Sequence, residues 1–429
     1  MKVAITTLGC KVNQYDSAAL ASELGRDGHS LVPFEAGADV YIVNTCTVTD
    51  RADWESRQLL RRVKRWNPSA RVVMTGCYVQ ANPQGVAAVD GVDFAIGLNR
   101  RDELVRAVRG EFGPKQAQVL VDNLRQAEGP PLLGAEVFSG RTRAFLKVQD
   151  GCDQFCTFCV VPWSRGRSRS VPPRAILAEL DKLADCGFQE VVLAGIHLGG
   201  YGHDLRPQMG LAELVEMVAE RARLARIRLS SVDPPEVSPR LLEIMRRSDR
   251  VCPHLHVPVQ AGDDAVLQRM RRRYDTRLVR DVLAEVRLQL PDAGIGTDLI
   301  AGFPGETELE FERTSALLDS LPFTYFHVFP YSRRAGTTAA KLAGHLPKPV
   351  VAARARRLRR LGERKRAAFA SSLAGCQLRV LLEAGAAPVS GYSRNYVRVL
   401  VPGSGPAPNH EVSVRVTAVR GAVVEGDIA

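Results

Sequence analysis

Residues 1–112 switch repeatedly between two hydrophobic periods. Short apolar runs at Lys2–Leu8, Asp39–Asn44 and Arg71–Thr75 read as strands. Between them, Asp16–Arg26 carries Leu20 and Leu24 four residues apart, and Ala52–Trp66 is a basic amphipathic stretch, so both read as helices. Strand–helix alternation predicts an open parallel sheet with helices on its faces. The pattern breaks over 113–137, where Gly113-Pro114, Gly129-Pro130-Pro131 and Gly134 punctuate a polar stretch. This reads as a linker with room for one short strand.

Alternation resumes over 138–369. Strand candidates are Ala144–Gln149, Glu190–Ala194, Arg226–Ser230, His254–Val259, Ile295–Ala301 and Phe326–Tyr331. Helical patterns separate them at Pro173–Cys186, Leu211–Arg223, Thr276–Leu290 and Glu306–Leu321. Such βα units fit a partial (β/α)6 barrel better than a closed eight-unit one, which takes about 250 residues. Residues 350–369 form an arginine-dense helix. Over 371–429, Gln377–Glu383, Tyr396–Val401 and Glu411–Val419 alternate apolar and polar positions between turns, predicting a small all-β module. The fold class is α/β, with an all-β module at its end.

Composition narrows the class. With 45% apolar and 24% charged residues, the chain is neither disordered nor fibrous. No apolar run reaches the ~18 residues of a membrane span, and the start lacks the pattern of a secretory signal. A soluble, cytoplasmic protein with no membrane partner is expected. Lys and Arg outnumber Asp and Glu by 58 to 47, which suits a polyanionic partner. The nine cysteines, an odd number in a long chain, favour metal ligation or buried thiols over disulfides.

Cys152, Cys156 and Cys159 lie in GCDQFCTFC, directly after the first barrel strand. Three thiolates on one short loop suit three irons of a 4Fe–4S cube, leaving the fourth iron open. The alternative is zinc or unrelated thiols; zinc wants four ligands and paired C-x2-C motifs, and no second pair is present. Cys10, Cys46 and Cys77 each follow one of the three N-terminal strands, in ITTLGC, YIVNTC and VMTGC. Carboxyl ends of parallel strands share one sheet edge, so three distant cysteines are expected to converge there. The alternative is three buried free cysteines. Cys186, Cys252 and Cys376 are isolated and read as packing residues.

GCDQFCTFC after a strand that opens a βα barrel resembles the radical S-adenosylmethionine superfamily, as does the following VVPWSRGRSRS. Paired with the second cysteine set, it resembles the radical methylthiotransferase family over essentially the whole chain. TLGCKVNQYDS (7–17), NTCTVT (44–49), GCYVQ (76–80) and PWSRG (162–166) look most like the branch acting on threonylcarbamoyladenosine in tRNA. The branches acting on isopentenyladenosine or on ribosomal protein S12 usually differ at Lys11-Val12 and Trp163.

The resemblance implies an enzyme that replaces C2–H of N6-threonylcarbamoyladenosine, beside the anticodon, with C2–SCH3. It implies two 4Fe–4S clusters, one on each cysteine set, and S-adenosyl-L-methionine. Partners would be tRNA, a flavodoxin-like or equivalent electron donor and a sulfur source. Strand-end segments LAGIHLGGYG, SSVDP and DLIAGFPGET would hold S-adenosylmethionine, with Gly195, Ser231, Asp298 and Gly302 as candidates; tight turns are the alternative reading. Arg165 and Arg167 could hold substrate phosphate or cofactor carboxylate, or be plain surface arginines. RARRLRRLGERKR (354–366), with eight basic residues, suggests RNA phosphates, and Tyr392, Arg394, Tyr396 and Arg398 suggest stacking and phosphate contact in a module resembling the TRAM domain. A reading from another class is an RNA-binding electron-transfer protein, but a carrier normally has protein ligands on every iron.

Overall fold

The computed structural model describes residues 1–112, 118–131, 133–136, 138, 141–384, 389–402 and 407–429. The chain divides into two compact units. The first comprises Met1–Ser139, Phe145–Pro172 and Ser332–Ala340; the second comprises Gly140–Ala144, Pro173–Tyr331 and Lys341–Ala429.

The first unit is built on a six-stranded parallel sheet of β1 (Lys2–Thr7), β2 (Ser30–Leu31), β3 (Val40–Thr45), β4 (Arg71–Gly76), β5 (Phe94–Ile96) and β6 (Gln118–Leu120), in the order β2-β1-β3-β4-β5-β6. Period-2 alternation sends Tyr41, Val43, Val72 and Met74 to one face, where they meet Leu60 and Val63 of α2 (Asp50–Trp66). Val40, Ile42 and Val73 point to the other, against Leu20 and Leu24 of α1 (Lys11–Arg26). Each such aliphatic side chain contributes about 1.5–3 kcal/mol when fully buried. Thr49 caps α2 by accepting from the Ala52 amide, with Asp50 and Asp53 in the first turn and Lys64 and Arg65 in the last.

Helix α1 starts five residues before the predicted Asp16, because Cys10 takes the cap position in extended backbone and Val12 and Tyr15 continue the buried stripe. The short strand expected between 113 and 137 is β6, which pairs in parallel with β5. Beyond it Leu124, Ala135 and Phe138 are buried. Gly113 and Pro114, which open that expected linker, lie outside the described residues.

In the second unit, strands Glu190–Ala194 and Arg226–Leu229 pair in parallel, as do His254–His256, Gly294–Ala301 and Tyr325–Pro330. Isolated bridges Ile227–Val251 and Ser231–His256 join the two ladders. Strand Arg143–Lys147 begins in this unit, and its last three residues belong to the first. Helices Pro173–Asp185, Leu211–Arg221, Thr276–Gln289 and Glu308–Ser320 alternate with the strands, and Pro239–Arg247 adds a helix the sequence reading lacked.

The C-terminal module is a closed five-stranded barrel in the order Gln377–Glu383, Val389–Ser393, Arg398–Val401, Val423–Ile428, Glu411–Arg420. Two of these strands were illegible in sequence because Gly391 and Gly426 interrupt their alternation. A Cβ on either glycine would press into neighbouring backbone, 2.1 Å from the Leu381 carbonyl oxygen or 2.3 Å from that of Arg415. Behind the barrel, Glu190 is ion-paired with Arg226 at 2.7 Å and accepts from Arg228 at 2.8 Å, all three side chains being buried. Arg226 also reaches Glu411 at 3.0 Å, and Arg228 donates to the carbonyl of Arg394. Burial alone would raise the Glu190 carboxyl, but the Arg228 and Arg226 guanidiniums outweigh it and hold it at about 2.

Candidate metal centres

Strands β1, β3 and β4 are adjacent and parallel, so the residues after them meet at one edge. Cys10 caps α1, Cys46 follows β3, and Cys77 opens the short helix α3 (Cys77–Ala81). Cys46 and Cys77 are buried and Cys10 is exposed.

Two glycines make the approach possible. Gly9 has φ +97°, and a Cβ there would lie 2.7 Å from Cys46 Cβ and 2.8 Å from its Sγ. Gly76 has φ +96°, and its Cβ would lie 2.4 Å from both Asn44 Oδ1 and the Thr45 carbonyl. Each glycine thus lets one cysteine loop press on the strand end beside it.

Among the described residues, the groups of three or more His, Cys, Asp or Glu with all ligand atoms within 4.8 Å of one another are His256–Asp298–His327 and His197–Asp233–Glu236. Neither contains cysteine. An all-thiol set of three, brought to one sheet edge, suits three irons of a cube better than a structural zinc site, which takes four ligands. Burial, with the neighbouring Cys77, pushes the Cys46 thiol up to about 12. Burial also raises Cys77, against the pull of Arg165. Thiols this reluctant to ionise are inert when free and become ligands when a cation compensates the thiolate.

Arg165 stands behind Cys77. Its Nε donates to Cys77 Sγ at 3.2 Å, Nη1 to Asp150 at 3.0 Å and Nη2 to Asn13 Oδ1, and Nη2 is also ion-paired with Asp16 at 2.9 Å. Arg165 is 1% exposed. Lys147 bonds Asp16 at 2.5 Å. Burial raises the Asp16 carboxyl, but Lys147 and Arg165 overcome it and bring it to about 2.

Asp150 also accepts from the Gly151 amide at 2.8 Å, one residue before Cys152. One charged network therefore runs from Cys77 to the loop that carries Cys152. Asn13, Asp16 and Lys147 were missed in sequence because nothing local ties them to distant partners; Asn13 and Asp16 do lie within TLGCKVNQYDS. Arg334 was missed for the same reason: it holds Thr47 Oγ1 at 2.5 Å and Asp53 at 2.6 Å, fixing the residue after Cys46.

Cys152, Cys156 and Cys159 are half-buried in the loop after Gln149–Asp150. The loop closes on its own exit: the Cys152 amide donates to the Gly166 carbonyl at 3.0 Å, and a Cβ on Gly151 would lie 1.8 Å from the Arg167 carbonyl. Phe155, at φ +49°, and Trp163 meet edge to face, with Arg125 over both rings. Arg167 is exposed, 3.8 Å from Asp153.

In the second unit, Asp298 accepts from His256 at 2.9 Å and lies 3.2 Å from His327 Nδ1. Burial raises its carboxyl, and the two imidazoles more than reverse this, leaving it well below the usual range. The Gly195 amide faces Ser230 Oγ at 3.4 Å. Ser231 forms the bridge to His256. Gly302, at φ +77°, is buried, and the group it lets approach is Val351, 2.7 Å from where its Cβ would be. At a neighbouring strand end His197 pairs with Glu236 at 2.5 Å, and Arg272 with Asp233 at 2.7 Å.

Most of the side chains expected to touch RNA also carry internal contacts. Arg394 is buried on Glu411 at 2.7 Å, and Tyr392 and Tyr396 stack on each other beneath Arg143. Of that quartet Arg398 alone is exposed. In the helix Lys348–Ser371, Arg354 pairs with Glu306 and Glu308, Arg357 with Glu312, and Lys365 with the Leu321 carbonyl.

Comparison with known proteins adds the rest. The Radical SAM superfamily model matches residues 146–318, and the model of an uncharacterized protein family, UPF0004, matches 2–97. The chain is 38% identical over 408 residues to the threonylcarbamoyladenosine tRNA methylthiotransferase of Bacillus subtilis, covering 94% of this chain and 90% of that protein. To the Thermotoga maritima protein of the same description it is 33% identical over 435 residues, covering 99% and 98%. To the tRNA-2-methylthio-N(6)-dimethylallyladenosine synthase of Moorella thermoacetica it is 33% identical over 437 residues, covering 99% and 97%. A radical S-adenosylmethionine methyltransferase of Kitasatospora setae, solved with tryptophan bound, shares the fold at TM-score 0.54 and 16% identity, over 77% of this chain and 74% of that one.

Proposed function

This chain belongs to the radical S-adenosylmethionine methylthiotransferase family, and we propose that it converts N6-threonylcarbamoyladenosine beside the tRNA anticodon to its 2-methylthio derivative. The observation that carries the reading is the pair of cysteine sets, one at the carboxyl edge of β1, β3 and β4 and one on a single closed loop. Each set is one ligand short of a protected cluster, which favours catalysis over simple electron transfer.

We assign Cys152, Cys156 and Cys159 to one 4Fe–4S cluster and Cys10, Cys46 and Cys77 to a second. Bound there, the first would supply the electron for reductive cleavage of S-adenosylmethionine, and the second would offer a docking point for the sulfur to be transferred. Behind the second, the chain's own residues keep the loops in place: Arg165 and Asn13 orient Cys77, and Arg334 holds Thr47 beside Cys46. Gly195, Ser231, Asp298 and Gly302 are the proposed S-adenosylmethionine contacts. The exposed Arg167 is proposed for substrate phosphate, and Arg165, with its donors engaged, for a supporting role.

In this scheme residues 1–112 form the cluster module, 113–137 a connection, 138–369 the radical core and 371–429 the RNA-binding module. The reaction also requires a flavodoxin-like or equivalent electron donor and a sulfur source. No helix among the described residues is long and apolar enough to cross a membrane, and we propose a cytoplasmic site of action on tRNA.

The Moorella thermoacetica relative, described as a dimethylallyladenosine synthase, matches over nearly the whole chain too, so the nucleoside is the point to test. Nucleoside mass spectrometry of tRNA from cells with and without the protein should show loss of the 2-methylthio group from threonylcarbamoyladenosine alone. Loss from isopentenyladenosine would move the chain to the sister branch.

A further inference from the structure

The first unit carries positive charge that folding leaves unused. On α2, Trp54, Gln58, Arg61 and Arg65 recur at steps of four, three and four, one stripe of the helix spanning roughly three turns. Trp54 is 53% exposed, and Arg61 and Arg65 are exposed with no ion pair or hydrogen bond among the described residues. The stripe borders an open groove of about 940 Å³, lined also by Arg57 and Lys64 and by one carboxylate, Asp90.

Arg57 and Lys64 are anchored, Arg57 on the Tyr78 hydroxyl at 2.9 Å and Lys64 on Asp93 at 3.1 Å. Arg57 and Arg61, and Arg61 and Arg65, stand four apart, a spacing at which like charges repel. The helix dipole favours cations in the last turn, and Lys64 and Arg65 already meet that preference, so helix stability does not explain Arg61. The arginine-dense helix Lys348–Ser371 differs. Most of its cations are paired internally, and Glu363 stands three residues after Arg360, which is unpaired among the described residues.

We propose that the Trp54–Gln58–Arg61–Arg65 face of α2 binds the sugar–phosphate backbone of the RNA substrate, Arg61 and Arg65 neutralising phosphates and Trp54 offering a ring to an unpaired base. The proposal rests on the tRNA reading above. Two unpaired guanidiniums and an indole at helical spacing match a strand of phosphates with bases beside it. An acidic protein surface would use the charges but not the exposed indole.

The test is binding of unmodified tRNA to the full-length reconstituted protein across a salt series. Arg61→Ala/Arg65→Ala should weaken binding about ten-fold at low salt. It should also flatten the log–log salt slope by roughly 0.7–0.9 for each phosphate no longer neutralised, about 1.5 in all. Iron content should not change. Trp54→Ala should weaken binding and leave the slope alone, since stacking releases no counterions.

Unchanged affinity and slope in the α2 double variant would overturn the proposal. So would a slope change confined to Arg356→Ala/Arg360→Ala, or unchanged tRNA binding with slower reduction by an acidic flavodoxin, which would make the face a reductant dock. Failure of the tRNA reading is distinguishable, because the unaltered protein would then show no salt-dependent tRNA binding and no methylthiolated product.

Discussion

Arg165 has lost its water, and five neighbouring atoms replace it. Two carboxylates, an amide oxygen and a thiol sulfur account for its donors, so removing it leaves Asp16 and Asp150 with only Lys147 between them. Breaking a buried pair in this way costs about 3–5 kcal/mol. Arg165→Met should lower the urea midpoint of the first unit accordingly. Arg165→Lys should recover only part, since one ammonium cannot span Cys77 and both carboxylates. An unchanged midpoint would remove Arg165 from the support of Cys77.

Glu190 sets a pH dependence in the second unit. Its carboxyl lies at about 2, against an ordinary 4.5. A depressed carboxyl stabilises fully above its unfolded value, and that stability fades as pH falls toward the folded one. The loss should reach about 3 kcal/mol between about pH 5 and pH 2. Denaturant midpoints over that range should fall for the natural protein, and Glu190→Gln should flatten this acid limb while lowering stability at neutral pH.

At the scale of elements, strand order decides which loops meet. β1, β3 and β4 are neighbours although β2 intervenes in sequence, because β2 pairs on the far side of β1. The loop after β4 comes close only because Gly76 adopts a left-handed backbone against Asn44 and Thr45. Gly76→Ala meets both the positive φ and a backbone collision, and should destabilise the first unit by about 2–3 kcal/mol. It should also reduce iron at the Cys10–Cys46–Cys77 set. Gly28→Ala, where a Cβ meets nothing within 4 Å, is the matched control, sharing the strained φ of +81° without the collision. Equal iron in both variants would show that strain, not the packing of the loop, governs the site.

At the scale of the whole molecule, two cysteine sets predict about eight irons per chain after anaerobic reconstitution, four for each cube. Replacing Cys152, Cys156 and Cys159 with Ala should leave about half the iron and stop S-adenosylmethionine cleavage. Replacing Cys10, Cys46 and Cys77 should also leave about half, spare cleavage and stop methylthio transfer. Stoichiometric zinc in the reconstituted protein, or methylthiolated tRNA from the second variant, would contradict these assignments. The C-terminal barrel is energetically part of the second unit, because Glu411 meets Arg226 at 3.0 Å and Arg379 pairs with Asp249. Cutting at Ser371 would therefore unpair buried charge as well as remove the five-stranded barrel.

The sequence alone determined most of the elements and singled out the two cysteine sets. Apolar periods of two and 3.6 placed most strands and helices to within a few residues, because burial of a face is written locally. Both cysteine sets were legible, one from its spacing and one because each member ends a strand. Tertiary structure decided how charge is used. Arg165, Arg394 and Arg354 look in sequence like surface cations waiting for phosphate. Their carboxylate partners lie far along the chain, so only folding reveals that they are occupied. The same distance hid Asn13, Asp16 and Arg334, and it left Arg61 and Arg65 of α2 without a carboxylate among the described residues. A side chain's periodicity is set by its neighbours in sequence, but its electrostatic partner is set by its neighbours in space.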